Sequence, residues 1–296
     1  MSFVALHFAS GAAFFTGSAS LLFGLFFATT TGRSFWAAMG RFLLIVGTFF
    51  IAISATPLPW WEYTLWGLSL AFWIGSRFLV KPSQRLTRMA ALALLVGCTC
   101  AATGFELWFQ LAPRRMTGHW KKLVVIGDSL SAEDFTEGGE PWPTRLARHD
   151  NIRVVNLAFS GATAASAAKR VTPADTAGAL VLLEIGGNDL LGVTGPAEFE
   201  QSLQRLLEKV CRPDTGVAML ELPLPPFYNR FGEIQRRLAR HYNVTLIPRR
   251  CFASVFDGAN ATIDSLHLSP AGHEKMAAMI SLVVLPSLIP IVKANQ

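Results

Sequence analysis

Residues Leu123-Val124-Val125-Ile126-Gly127-Asp128-Ser129-Leu130 decide the fold, because four aliphatic residues run straight into a glycine, an acid and a hydroxyl. A short continuous apolar run bounded by turn residues is what a strand buried on both faces needs. Outward from it the same texture recurs, with strand candidates at 153–157, 180–185, 217–222 and 244–247. Helix candidates fall between them, at 142–149, 162–171, 196–211, 230–242 and 270–281. Apolar strands alternating with helices predict an α/β fold with a parallel sheet of about five strands. In such a sheet the ligand site lies beyond the carboxyl ends of the strands, so the residues just after each strand are the ones to read.

Those residues form four clusters. Gly127-Asp128-Ser129-Leu130 follows the first strand, Phe159-Ser160-Gly161-Ala162 the second and Gly186-Gly187-Asn188-Asp189 the third, while Asp264-Ser265-Leu266-His267 stands near the end. Singly each is an ordinary turn. Together they supply a hydroxyl, an imidazole with a carboxylate three residues away, and an amide with glycine neighbours. That is the equipment for acyl transfer through a serine nucleophile.

The four blocks resemble those of the SGNH hydrolases, also called the GDSL esterase/lipase family. In order and spacing they are similar to the bacterial thioesterase/lysophospholipase branch, over about residues 120–285. The resemblance implies a flavodoxin-like three-layer α/β/α domain with Ser129 as nucleophile, His267 as base and Asp264 orienting it. It implies oxyanion donors at the Ser129 and Gly161 backbone N–H groups and the Asn188 side chain. It implies no cofactor and no metal. Leu268 departs from the pattern, since that branch often has Pro after the histidine.

The chemistry asks for these residue types independently of any family. A serine hydroxyl is a weak nucleophile, so a neighbouring imidazole must take its proton as it attacks. A carboxylate fixes the imidazole tautomer and stabilises the imidazolium that forms. Gly161 lets a backbone N–H approach the developing oxyanion without a Cβ in the way, and Asn188 adds a side-chain donor.

The rest of the chain reads differently. Of 296 residues 51% are hydrophobic and 16% charged, with a mean hydropathy of +0.38 and a net charge of +6. Residues 1–118 hold 8 basic residues and only Glu62 and Glu106 as acids, so they carry the whole basic surplus. Residues 119–296 are balanced, which argues against a nucleic-acid partner. No charged residue occurs from Phe3 to Gly32, a run of 30 residues against the roughly 20 that span a bilayer. Further apolar stretches lie at 35–56, 60–80 and 89–112, predicting an all-α domain over 1–118 with about four transmembrane helices, then a catalytic domain over 119–296. The first run has no preceding basic residue and exceeds the apolar core of a cleaved signal peptide.

Small residues at Ala13, Gly17, Ser20 and Gly24 form one stripe that predicts a close helix neighbour. Arg33 and Arg41 fall between the first two spans and Arg77, Lys81, Arg85 and Arg88 between the last two. Arg114, Arg115, Lys121 and Lys122 follow the fourth span. Basic loops stay in the cytoplasm, so six residues against four predict a multi-pass inner-membrane protein with its catalytic domain on the extracytoplasmic, periplasmic side. The expected partners are an ester or acyl substrate in or near the membrane and the lipid bilayer itself.

Rival readings are narrower. Asp128 and Asp189 beside Asp264 and His267 would suit a metal-dependent phosphoesterase, but no metal-ligand spacing is present. His119, His149, His241 and His273 read as surface residues, and Glu133, Asp134, Glu137 and Glu140 as a solvated acidic loop. Cys98 and Cys100 read as packing residues, while Cys211 and Cys251 are left open between a disulfide and two buried thiols. Transfer of the acyl group to a sugar hydroxyl, or a non-catalytic membrane scaffold with a relic hydrolase domain, are the alternatives to hydrolysis. The apolar segment 279–292, broken by Pro286 and Pro290, is too short to span and is expected to pack on the domain or rest at the interface.

Overall fold

A computed structural model describes residues 2–30, 35–81, 83–111, 116, 118–132, 139–258, 260–264 and 266–290. Arg33, Arg114, Arg115, Glu133, Asp134 and Glu137, together with the segment beyond 290, lie outside the described residues. The chain forms two compact units, one of residues 1–10, 112–224 and 230–296, the other of 11–111 and 225–229.

The larger unit is built on five parallel strands, β1 (Leu123–Gly127), β2 (Val154–Asn156), β3 (Leu180–Glu184), β4 (Gly216–Leu220) and β5 (Thr245–Ile247), in the order β2-β1-β3-β4-β5. Every residue of β1, β3 and β4 is buried, which is why these strands read as apolar runs, Glu184 at the end of β3 excepted. Alternate side chains serve opposite faces. Leu123, Val125, Leu180, Leu182 and Leu220 pack with Trp142, Leu146, Phe252 and Met276, bringing helices Trp142–His149, Arg249–Val255 and Pro270–Val284 onto one face. Val124, Ile126, Val181 and Leu183 are equally buried and point the other way. Helices Ala164–Arg170 and Pro196–Val210 pack together and present Ala167, Phe199, Leu203 and Leu206 as buried residues.

Three short helices escape the sequence reading: Pro173–Thr176, Gly187–Leu191 and Arg249–Val255. The last apolar segment does pack on this unit. Val284 and Leu288 join the core, and Trp120 exchanges backbone hydrogen bonds with Ser287 and Ile289 at 2.9 Å each.

The first apolar run is not one helix. It is split into Phe3–Ala9 and Ala12–Thr30 around Gly11, whose φ of 86° breaks the helical path. Phe3–Ala9 packs on Arg249–Val255, and Ala9 O accepts the Leu224 N–H at 3.4 Å. In the smaller unit Ala12–Thr30 is followed by Phe35–Ile53, Trp60–Phe78 and Arg85–Gln110. Two of these, Phe35–Ile53 and Arg85–Gln110, are long and apolar enough to cross a membrane, and the broken first run makes a third if its pieces count as one bent span. Trp60–Phe78 does not meet that measure, since Glu62, Arg77, Ser69 and Ser76 dilute its aromatic residues.

The small-residue stripe does bring a helix close. A Cβ on Gly17 would stand 2.9 Å from Ile51 N, and one on Gly47 2.5 Å from Leu21 N, so Ala12–Thr30 and Phe35–Ile53 touch along glycines. In the last turns of Arg85–Gln110, Glu106 is fully buried and accepts the Gln110 amide at 2.8 Å. That satisfies a carboxyl which burial alone would penalise.

Candidate active site

Three of the four polar clusters meet at the carboxyl edge of the sheet because β1 lies between β2 and β3. Strand β1 ends at Gly127, which is in register with Glu184 at the end of β3. On its other side the Leu157 N–H donates to Val125 O at 2.8 Å and the Phe159 N–H to Gly127 O at 3.2 Å, carrying the second cluster alongside the first.

Ser129 sits half-buried in the turn after β1. That turn is fastened by Asp128, whose Oδ1 accepts the Leu130 N–H at 3.0 Å, while the N–H groups of Ser131 and Ala132 bond back to Asp128 O at 3.1 and 3.0 Å. Gly161 occupies an exposed turn closed by the Ala162 N–H on Phe159 O, and its φ of 74° is one a side chain would strain. Asn188 lies on helix Gly187–Leu191, entered through Gly186 at φ 110°. Its Nδ2 donates to Ala162 O at 3.0 Å and to Asp128 Oδ2 at 3.3 Å, so one amide links the clusters after β1, β2 and β3. Asp189 adds a second tie, its Oδ2 accepting the Ala164 N–H at 2.8 Å.

The Asp264–His267 turn is built separately. The Ile263 N–H donates to His267 O at 2.9 Å and the Ser269 N–H to Ala261 O at 3.1 Å, closing a narrow loop. Leu268 is 1% exposed and belongs to the core, so the departure from the family pattern anchors this loop instead of distorting it. Within the loop Asp264 Oδ1 accepts the N–H groups of Leu266 and His267 at 3.0 and 2.8 Å, and Oδ2 meets His267 Nδ1 at 2.7 Å. Because Oδ2 takes a hydrogen from Nδ1, the basic nitrogen of the neutral ring is Nε2; this tautomer is assigned from the partner. The His267 backbone N–H, its side chain and the Leu266 N–H together hold the Asp264 carboxyl far below the usual carboxylate range. His267 also acts electrostatically on Asp128, the residue before Ser129.

Two groups here were not read from the sequence as site residues. Glu184 closes β3 and is 2% exposed, and an acid inside an apolar strand was the signal available for it. His273, read as a surface residue, is 2% exposed, because its Nδ1 accepts the Trp142 N–H at 3.3 Å across the helix pair. His119, His149 and His241 are exposed as expected. Cys98, Cys100, Cys211 and Cys251 are all free thiols. Among the described residues no three His, Cys, Asp or Glu side chains are grouped as a metal would require. The rival metal carboxylates instead accept N–H donors, Asp128 from Leu130 and Asn188, Asp189 from Ala164.

Known proteins resemble this part of the chain. The model of the GDSL-like Lipase/Acylhydrolase family matches residues 125–275. Esterase TesA of Pseudomonas aeruginosa is 31% identical over 138 residues, covering 43% of this chain and 69% of that protein. Thioesterase 1/protease 1/lysophospholipase L1 of Escherichia coli is 32% identical over 136 residues, 43% of this chain and 65% of that protein. The crystal structure of TesA superposes with a TM-score of 0.50 at 28% identity, covering 56% of this chain and 99% of that one.

Proposed function

We propose, on the premise that this chain belongs to the GDSL-like lipase/acylhydrolase family and is a carboxylic ester hydrolase, that Ser129, His267 and Asp264 carry the reaction. The observation that supports this most is the 2.7 Å Asp264–His267 pair, in which a carboxylate orients the ring that is to act as base. In this reading His267 Nε2 takes the Ser129 Oγ proton as Oγ bonds to the acyl carbon. The carbonyl oxygen becomes an oxyanion between the Ser129 and Gly161 N–H groups and the Asn188 amide. Collapse breaks the ester C–O bond, and the alcohol leaves with the proton from the imidazolium. Water, deprotonated by the same ring, then cleaves the acyl-serine and restores Ser129.

The substrate proposed is an acyl or acetyl ester of an envelope glycan or lipid. The thioesterase and lysophospholipase names of a relative support the acyl part. The apolar helices of residues 12–110 support a membrane anchor, and the loop charges support an extracytoplasmic catalytic unit.

The mechanism is tested on the full-length protein in detergent with a short-chain activated ester. Ser129→Ala should lose on the order of 10⁴-fold or more in kcat, and a chelator should leave the wild-type rate unchanged. Retained turnover in Ser129→Ala, or abolition by chelator, removes the serine mechanism. The anchor is tested by labelling single cysteines placed at the exposed Ser83 and Asn260 with a membrane-impermeant thiol reagent in intact cells. Labelling at Asn260 alone is expected, and labelling at Ser83 alone reverses the topology.

A further inference from the structure

Two residues after the proposed nucleophile stands a second serine, Ser131, which is fully buried. A hydroxyl enclosed in this way has to be matched by partners. Its Oγ lies 2.8 Å from Glu184 Oε2 and 3.2 Å from Trp142 Nε1. The indole nitrogen can only donate, so Ser131 Oγ accepts there and sends its one hydrogen to Glu184 Oε2. That oxygen also takes the Asp128 N–H at 3.2 Å, which fixes it as an acceptor. On the backbone side, the Ser131 N–H donates to Asp128 O at 3.1 Å, and Ser131 O accepts Asn156 Nδ2 at 2.8 Å.

These bonds join elements that the sequence keeps apart. Glu184 ends β3, 53 residues from Ser131, and Asn156 ends β2, 25 residues from it. Trp142 opens the helix Trp142–His149, and it is held from behind: it is fully buried and its own backbone N–H donates to His273 Nδ1 at 3.3 Å. Asn156 uses its other amide atom on the chain that follows β2, where Oδ1 accepts the Ala158 N–H at 3.1 Å just before the cluster that holds Gly161. Room for the arrangement comes from Gly127, since a Cβ there would lie 2.8 Å from Ser131 Oγ and 2.9 Å from Ser131 Cβ. Ser131 is therefore the point at which the turn after β1 is fastened to both neighbouring strands.

We propose that Ser131 is a positioning residue of the ester hydrolase: its hydroxyl and carbonyl pin the turn carrying Ser129 to the ends of β3 and β2, so that Ser129 Oγ and the Ser129 and Gly161 N–H groups keep one spacing. This rests on the serine reading above. Without the Ser131 hydroxyl, the Trp142 indole N–H has no acceptor and Glu184 Oε2 has one donor fewer, both in an enclosure that water does not reach. Buried polar groups left in that state drive a local shift, and the segment free to shift is the turn itself. A displacement of about 1 Å in a reacting group is enough to cost on the order of 100-fold in rate.

The test uses the full chain in detergent, with Ser131→Ala, Trp142→Phe, the double variant and Ser129→Ala assayed on a soluble short-chain ester. Ser131→Ala should lower kcat roughly 10- to 100-fold, short of the 100- to 1000-fold typical of deleting an oxyanion donor outright, with KM within about twofold. Trp142→Phe keeps a ring but removes the indole N–H, and kcat should fall about 3- to 10-fold. Because both changes act through one hydroxyl, the double variant should lie within about twofold of Ser131→Ala alone. A second readout follows the site directly. A p-nitrophenyl alkylphosphonate should label Ser129, and the ³¹P resonance of that adduct, whose phosphoryl oxygen lies among the oxyanion donors, should move or split in Ser131→Ala. Wild-type kcat in Ser131→Ala, a change confined to KM, losses that multiply in the double variant, or an unmoved ³¹P line would overturn the assignment. If Ser131→Ala does not fold, Trp142→Phe decides, and wild-type kcat with an unmoved line there overturns it equally. Turnover surviving in Ser129→Ala, or a phosphonate adduct on another residue, removes the serine reading instead.

Discussion

Asp264 and the Asp128–Glu184 pair are carboxyls of one site held in opposite states. Asp264 lies on a loop with about half of its side chain exposed, yet two backbone N–H groups and an imidazole keep it charged far into acid. Asp128 and Glu184 are enclosed at the strand ends, where burial favours the proton over the charge. Water is therefore a poor guide to which carboxyl is ionised, and the count of donors aimed at each oxygen is a better one. The exposed group acts through its charge on a ring that must become an imidazolium, whereas the buried group acts through its geometry on a turn and an amide.

The largest expected effect separates charge from geometry. Asp264→Asn keeps the size of the side chain but removes the charge and inverts the hydrogen bond to His267 Nδ1, so kcat should fall on the order of 10⁴-fold. Asn188→Ala removes one oxyanion donor and should cost 100- to 1000-fold. Both are read as kcat on the short-chain ester with the full-length protein. If Asn188→Ala were the more damaging of the two, the exposed carboxylate would not be supplying imidazolium stabilisation, and the division between the two kinds of carboxyl would fail.

Much of this candidate site is legible in the sequence. The strand ends announced themselves because parallel strands are apolar on both faces, and the first polar residues after them mark where the chain turns over the sheet. The Asp264–His267 turn was legible because its decisive contacts span three residues. Glu184 was visible as an anomaly, but its partner was not, since only the adjacency of β1 and β3 puts it against Gly127 and Asp128. The break at Gly11 was hidden for a different reason. A run apolar all round has no periodicity to lose, so a kink inside it leaves no mark on the pattern. Helices of five to seven residues, such as Gly187–Leu191 and Arg249–Val255, are too short to display a repeat. His273 stood among polar neighbours on its own helix and was read as exposed, although the Trp142 N–H it meets is 131 residues away in the chain.

His273 also supplies the smallest effect, one that sets two buried titrations against each other. Its Nδ1 accepts the Trp142 N–H, and its enclosure, with Arg145 nearby, lowers it from 6.5 to about 4. A base whose folded value is depressed gives stability that is present above the unfolded value and lost as pH falls, here between about pH 6.5 and 4. The carboxyl pair runs the other way. Asp128 rises from 3.8 to about 6, so its contribution is present in acid and lost as pH rises between about 4 and 6, and burial raises Glu184 in the same sense. Wild-type thermal stability should thus be flatter between pH 4 and 6.5 than either trend alone. His273→Gln keeps an acceptor for Trp142 but does not titrate, and its Tm should decline steadily as pH is raised across that window. Glu184→Gln removes one raised carboxyl and leaves Asp128 opposed to His273, so its Tm should change less with pH than that of His273→Gln. Near-UV circular dichroism melts of the full-length protein at several pH values read both slopes, with about 2–4 °C for each kcal/mol in a domain of this size. Parallel curves for wild type and His273→Gln would mean that the histidine is already charged in the folded protein, and the enclosure behind Trp142 would then be wetter than its burial implies.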